Sequence, residues 1–277
     1  MAARSRITVL LLLFLLSTEH SFAVNLNELT SLVKELLNRY PVKNMFSLAV
    51  SIPQNQNQNQ GANRGIEEVL IKNRADDVKN KIKMKEVYVG YRMAAAKPLW
   101  RENDVDHAES RVVDVLDKGP EFQDDLLLFY VSSSPCDRKC TNEENEGNIL
   151  ERIKDIKKWK DHAFVFSKIF QPRHGRPIPE TKHRDSLERL GEQIGLENIF
   201  RCDRDQNKQM KCVCCSNDGQ VAQTCVSDNP EREGRRVKGG KRRRGKGGRG
   251  GKGKGSRRGG RSRSQGLDQD WIFVSDF

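Results

Sequence analysis

The stretch DLLLFYVSSSPCDRKC, residues 125–140, runs from an apolar segment through three serines and a proline to Cys136 and Cys140. A short, nearly continuous apolar run that stops at small polar residues predicts a β-strand buried on both faces. Two cysteines with three residues between them just past a strand end fit either half of a disulfide framework or a pair of thiolates for a metal. The sequence on either side decides between them.

Around this strand the chain alternates. Upstream, LNELTSLVKELLNRY places Leu26, Leu29, Leu32, Val33, Leu36 and Leu37 at helical spacing, MFSLAVSIP reads as a strand ending at Pro53, and QNQNQNQGANRG as a polar surface loop. GIEEVLIKNRADDVKNKIKMK is ambiguous and in part helical, and KEVYVGYRMAAA reads as a strand ending near Ala96. A helix at DVDHAESRVVDVLDKG precedes the opening strand; after it come a helix near GNILERIKDIKKWKD, a strand at HAFVFSKIF and a helix at TKHRDSLERLGEQIG. Strands alternating with helices of this length predict an α/β layer fold, with a central mixed sheet of about five strands covered by helices.

The flanks belong to other classes. Residues 1–23 carry Arg4 and Arg6, an apolar run from Ile7 to Leu16 and the ending Ser21-Phe22-Ala23, the pattern of a secretory signal cut after Ala23. The apolar run is about half of the roughly 20 residues a membrane-spanning helix needs, so no transmembrane segment is expected. Between Arg232 and Arg263 stand sixteen Lys/Arg against the single acid Glu233, so of the chain's net +12 this segment carries +15 and the signal +1, and the remainder is mildly acidic at −4. The organisation expected is a signal (1–23), a folded domain (24–230) with a cysteine-rich end (197–226), a disordered Gly/Arg/Lys tail (231–265) and a short acidic and hydrophobic terminus (266–277) containing Trp271, Phe273 and Phe277.

His107-Ala108-Glu109 opens the helix before the strand, and Pro135-Cys136 and Cys140 open the helical region expected after it. Neighbouring strand-to-helix junctions on one sheet edge bring their first turns together, so His107, Cys136 and Cys140 can converge on one metal. Three N and S ligands with a fourth position open to water are the ligand set of a catalytic zinc site. A helix N-terminus would favour the thiolate at Cys136. Glu109 is not aimed as a ligand but is close enough to shuttle a proton.

His-x-Glu followed by Pro-Cys and a second cysteine is the signature of zinc nucleobase deaminases, here with three residues between the cysteines where the signature has two. With the order of elements, the chain resembles the cytidine deaminase fold and, within it, the AID/APOBEC branch; its signal makes it similar to the secreted novel AID/APOBEC-like deaminases. The resemblance covers roughly residues 26 to 200. It implies zinc on His107, Cys136 and Cys140, and Glu109 as the proton carrier in converting cytosine to uracil. That branch has Ser-Trp-Ser before Pro-Cys where this chain has Ser132, Ser133 and Ser134, so the aromatic floor of the substrate pocket is displaced. Lys168-Ile169-Phe170 matches the branch's basic, aliphatic and aromatic triplet, which puts Phe170 and Ser134 at the pocket. Gln171 stands where an aspartate often follows, and Trp100 could supply the missing aromatic. Core packing is the competing reading for Phe170 and Trp100 alike.

Cys202, Cys212, Cys214, Cys215 and Cys225 form C-x9-C-x-C-C-x9-C. In an oxidising compartment these read as disulfides with Cys202 and Cys225 as outer partners and one cysteine left over; a second zinc site is the alternative. The tail between residues 232 and 263 has the composition of segments that bind single-stranded DNA or RNA, or other polyanions such as heparan sulphate. Two functions compete: a secreted zinc-dependent cytosine deaminase acting on single-stranded nucleic acid, and a secreted polyanion-binding defence or matrix protein on a deaminase scaffold. A free nucleoside substrate would leave the tail without a role.

Overall fold

The structure, a computed structural model, describes residues 24–54, 63–102, 104–116, 122–172 and 176–228. The signal, most of the polar run after Pro53, the basic tail and the acidic terminus lie outside the described residues.

Helix α1 (Leu26–Arg39) starts where the Asn25 side chain accepts hydrogen bonds from the Asn27 and Glu28 amides at 2.9 and 3.3 Å, satisfying donors that have no partner within the helix. Strand β1 (Ser47–Ile52) is followed by α2 (Asn63–Lys72) and α3 (Ala75–Lys83), so the ambiguous stretch is two helices and the first of them takes in the end of the expected loop. Residues 85–96, read as one strand, fold into two. Strands β2 (Tyr88–Gly90) and β3 (Met93–Ala96) pair antiparallel across a turn in which Arg92 has a φ of 54°. Strands β4 (Leu99–Trp100) and β5 (Val105–Asp106) form a small separate hairpin leading into α4 (Ala108–Val113), much shorter than the helix expected from residue 104.

Then come β6 (Leu126–Ser133), α5 (Leu150–Ile153) with a 3₁₀ turn (Lys154–Lys158), β7 (Asp161–Lys168), α6 (Glu180–Ile194), β8 (Ile199–Arg204) and β9 (Met210–Cys214). A short hairpin of β10 (Ser216–Asn217) and β11 (Gln220–Val221) ends the order.

Seven strands make the central sheet in the order β2-β3-β1-β6-β7-β8-β9. The estimate of about five is two short, because the turn at Arg92 splits one strand and the cysteine-rich end contributes β8 and β9. Strands β6, β7 and β8 are parallel and the other pairings antiparallel, so the sheet is mixed.

Alternation along β6 explains its apolar run. Leu126, Leu128 and Tyr130 join one buried cluster with Leu29, Leu32, Leu36, Val69 and Val78 of α1 to α3. Leu127, Phe129 and Val131 join another with Val112, Ile153, Leu187 and Leu190 of α4 to α6. A strand with helices over both faces can keep polar side chains only at its ends. For β6 these are Asp125 at one end and Ser132 to Ser134 at the other.

Two disulfides join Cys202 to Cys212 across β8 and β9, and Cys215 to Cys225. The outer cysteines thus take inner partners, and the free thiol among the five is Cys214. Unreduced denatured protein, freed of metal, should take up three alkyl groups on Cys136, Cys140 and Cys214, and reduced protein seven, read by intact mass. Replacing Cys202 and Cys212 together with serine should cost about 3 kcal/mol in a denaturant titration, the loop-closure value for a bridge of this span.

Candidate metal centre

The hairpin of β4 and β5 delivers His107. Its turn is closed by the Arg101 amide donating to the Asp104 carbonyl at 2.8 Å, and His107 follows as the extended N-cap of α4 with a ψ of 150°. Lys139, inside the cysteine spacer, fixes this hairpin to the neighbouring loop. Its ammonium donates to both Asp104 carboxylate oxygens at 2.5 Å and to the Val105 carbonyl at 2.9 Å.

The cysteines come from the end of β6. The parallel register sets Ser133 opposite Lys168, and the Ser134 amide extends the pairing by donating to the Lys168 carbonyl at 2.8 Å. No helix follows directly, which corrects the expected arrangement: α5 begins only at Leu150, and residues 136–149 are turns. Helix-terminus stabilisation of the Cys136 thiolate therefore has no basis here. The three-residue spacer closes a loop in which the Thr141 amide donates to the Cys136 carbonyl at 3.1 Å and the Cys140 amide to Cys136 Sγ at 3.3 Å. Thr141 Oγ1 and Ser186 Oγ, 2.8 Å apart, and the bond from Ser186 Oγ to the Pro135 carbonyl at 2.8 Å seat this loop on α6.

His107 Nδ1 thus lies 2.8 Å from Cys140 Sγ and 3.8 Å from Cys136 Sγ, and the two sulfurs are 3.2 Å apart. All three residues are buried, and among the described residues they form the one group of His, Cys, Asp and Glu side chains placed to hold a metal ion. Zn–S bonds of about 2.3 Å and Zn–N bonds of about 2.0–2.1 Å give tetrahedral edges of about 3.5–3.8 Å, so the donors fit zinc after a slight opening. Glu109, also buried, places Oε1 2.9 Å from Cys140 Sγ, which donates to it, and 3.7 Å from His107 Nδ1.

Burial disfavours charge on every member of this cluster, and at His107, Glu109 and Cys136 the partners overrule it. Burial would lower the His107 pKa, but the hydrogen bonds to Cys136 and Glu109 push it up to about 10. Against the effect of burial on Glu109, His107 and Cys140 hold its carboxyl below the usual range, and Cys140 and His107 hold the Cys136 thiol well below its ordinary value. Burial and the neighbouring Cys136 and Glu109 charges push Cys140 well up. The shifts thus run towards a proton on His107 and Cys140 and away from one on Cys136 and Glu109.

Phe170 is buried in a small cluster with Cys136 and Cys140, joined by Met45 and Ile178. Its amide donates to Ser134 Oγ at 2.9 Å, so Ser134 positions the ring. Trp100 sits on β4, paired with Val105 and 38% exposed. Gln171 ties down Ile178 through its side chain, accepting from the Ile178 amide at 2.8 Å and donating to its carbonyl at 3.3 Å, with His183 Nε2 at 3.1 Å. Met45, Ile178, His183 and Thr141 were not singled out by sequence: each lies far from the cysteines along the chain or carries no motif. Lys139 could have been found as a charge inside the cysteine spacer.

A mixed, helix-covered sheet that gathers His107, Glu109, Cys136 and Cys140 at one edge defines a deaminase-like α/β protein. The family described as Secreted Novel AID/APOBEC-like Deaminase 1 matches residues 27–229, and the chain belongs to it. No curated protein and no solved structure gives a significant match.

Purified protein loaded with zinc should hold one ion per chain by elemental analysis, and His107→Ala or Cys136→Ser should lose it. Because the His107 and Cys140 pKa values are pushed up and both donors must be deprotonated to bind, zinc affinity should rise with pH and fall as the solution is acidified. Calorimetry in buffers of different ionisation enthalpy should show protons released on zinc binding.

Proposed function

We propose that the protein is a secreted, zinc-dependent deaminase that hydrolyses the C4 amino group of cytosine in single-stranded nucleic acid, giving uracil and ammonia. The observation that carries this reading is Glu109: a buried carboxylate outside the metal-ligand set, with Oε1 2.9 Å from Cys140 Sγ and 3.7 Å from His107 Nδ1. A structural metal site closes its fourth position with a protein ligand and has no use for a charged neighbour held out of water.

His107, Cys136 and Cys140 would hold the ion, which when bound supplies a Lewis acid that acidifies water towards neutrality. Glu109 takes one proton at Oε1 from the attacking water and delivers it to the pyrimidine ring nitrogen, then takes a second from the hydroxyl added at C4 and delivers it to the amine, which departs as ammonia. Phe170, held by Ser134, walls the base pocket, and Trp100 on the hairpin offers an aromatic face to the strand beside the target base. The base must leave any stack to reach a buried site, which favours single strands.

The tail between residues 232 and 263 neutralises phosphates and supplies affinity independent of sequence. Secretion accords with the family description, with two disulfides, and with no described helix being long and apolar enough to cross a membrane.

In a uracil-release assay on cytosine oligonucleotides, wild type should be active and Glu109→Gln should fall by a factor of about 10²–10⁴ while keeping its zinc. Equal background from both, with zinc present in both, would instead favour a binding protein on a deaminase scaffold.

A further inference from the structure

Helix α4 carries Glu109, runs for six residues and has no side-chain hydrogen bond at its N-cap. A helix that short does not hold its own place, so its surroundings decide where the carboxylate stands. Ala108, Val112 and Val113 are buried beneath it. Two arginines hold the rest. Arg111, from α4 itself, donates to the Lys97 carbonyl at 2.6 Å and the Lys85 carbonyl at 2.7 Å, at the residues that flank β2 and β3. Arg152 of α5 reaches α4 from the chain that follows the cysteines. Its Nη1 donates to the Ser110 carbonyl at 3.4 Å and pairs with the Asp114 carboxylate, and its Nη2 donates to Ser110 Oγ at 3.0 Å.

The same Nη2 donates to the Gly147 and Asn148 carbonyls at 3.4 and 2.7 Å. These residues are tied to a ligand, because the amide of the next residue, Ile149, donates to the Cys140 carbonyl at 2.9 Å. One guanidinium therefore joins Ser110, the residue after Glu109, to the segment bonded to Cys140. Across that join Glu109 Oε1 stands 2.9 Å from Cys140 Sγ. Five acceptors on two segments suit the planar fork of an arginine and exceed the three donors of a lysine. Lys139 makes the other cross-link, to Asp104 and Val105 ahead of His107. Both cations come from the cysteine side of the site. One meets the chain before the ligand His107, the other the chain after Glu109.

We infer that Arg152 is the positioning residue for Glu109, and that the site is clamped in two independent halves. Lys139 sets the ligand His107 against the cysteines, and Arg152 sets the proton carrier against Cys140. The inference rests on the deaminase reading above. None of the five acceptors of Arg152 belongs to a metal ligand, so its loss leaves the donor set intact. Folding depends on it weakly, since an ion pair with side chains 34% and 51% exposed contributes little to stability. Proton transfer depends on it strongly, since a displacement of about 1 Å at a reacting group can cost about 100-fold in rate.

The test compares full-length, zinc-loaded Arg152→Gln and Lys139→Gln proteins with wild type. Arg152→Gln should keep its zinc affinity and its KM, lose no more than about 4 °C in thermal midpoint, and lower kcat for uracil release about 10–100-fold. Lys139→Gln should do the reverse, weakening zinc about tenfold and keeping kcat once the site is saturated. Arg152→Lys, which retains the charge but not the fork, should fall between Arg152→Gln and wild type. Lys154→Gln, which removes a nearby exposed cation paired with Glu151, should match wild type. Position is read without activity by loading cobalt(II) in place of zinc and measuring the paramagnetic relaxation it imposes on the Glu109 carboxyl carbon in isotope-labelled protein. Arg152→Gln should reduce that relaxation, and Lys139→Gln at saturating cobalt should not. Wild-type kcat and relaxation in Arg152→Gln would overturn the inference. So would a loss of zinc affinity and of thermal stability in step with kcat. If wild type deaminates nothing, the catalytic reading fails and the cobalt measurement still decides the role of Arg152.

Discussion

Four ionisable side chains share a space a few ångströms across, out of water. Taking a thiolate, a carboxylate and an imidazole from solvent costs several kcal/mol apiece unless charge is compensated in place. Without metal the upward shifts of His107 and Cys140 run towards such compensation. A divalent cation does it better, because it replaces both protons and attracts every remaining donor. The supporting structure serves this concentration of charge. Lys139 ties the hairpin that ends at His107 to the cysteine loop, Thr141 and Ser186 seat that loop on α6, and the β6–β7 register brings Ser134 and Phe170 together beneath it.

The parts of this arrangement that depend on local pattern could be read from sequence. Buried strands such as DLLLFYV are apolar because helices cover both faces, and α6 shows its helical spacing without ambiguity. His107, Glu109, Cys136 and Cys140 were visible because the chemistry demands those residue types in that order at adjacent strand ends. What could not be read depends on tertiary closure. The hairpin at Arg92 is set by a left-handed φ in a residue that does not advertise it, and the short α4 is set by the hairpin before it. The turns between Cys136 and Leu150 displace an expected helix: they bond among themselves and are tied through Thr141 to Ser186 and Arg189 of α6, partners more than 40 residues away.

The cysteine-rich end changes meaning once the pairs are known. Cys202–Cys212 holds β9 to β8, and Cys215–Cys225 ties the end of β9 to the 3₁₀ turn at Gln223–Cys225. The bridges reinforce the β9 side of the sheet, and the metal centre is organised by its own ligands. Two kinds of cysteine chemistry therefore coexist in one small domain, separated by the parallel strands between them.

That coexistence has a consequence for how the chain matures. Cys136 and Cys140 hold their sulfurs 3.2 Å apart, a separation that a disulfide bond can close. The compartment that forms the two structural bridges is equally able to form a third at the ligands. Occupation by metal is what withholds those thiolates from the oxidant. Metal loading and disulfide formation are then competing clocks in the newly made chain, and whichever runs first decides whether the folded product carries a working centre or a sealed one.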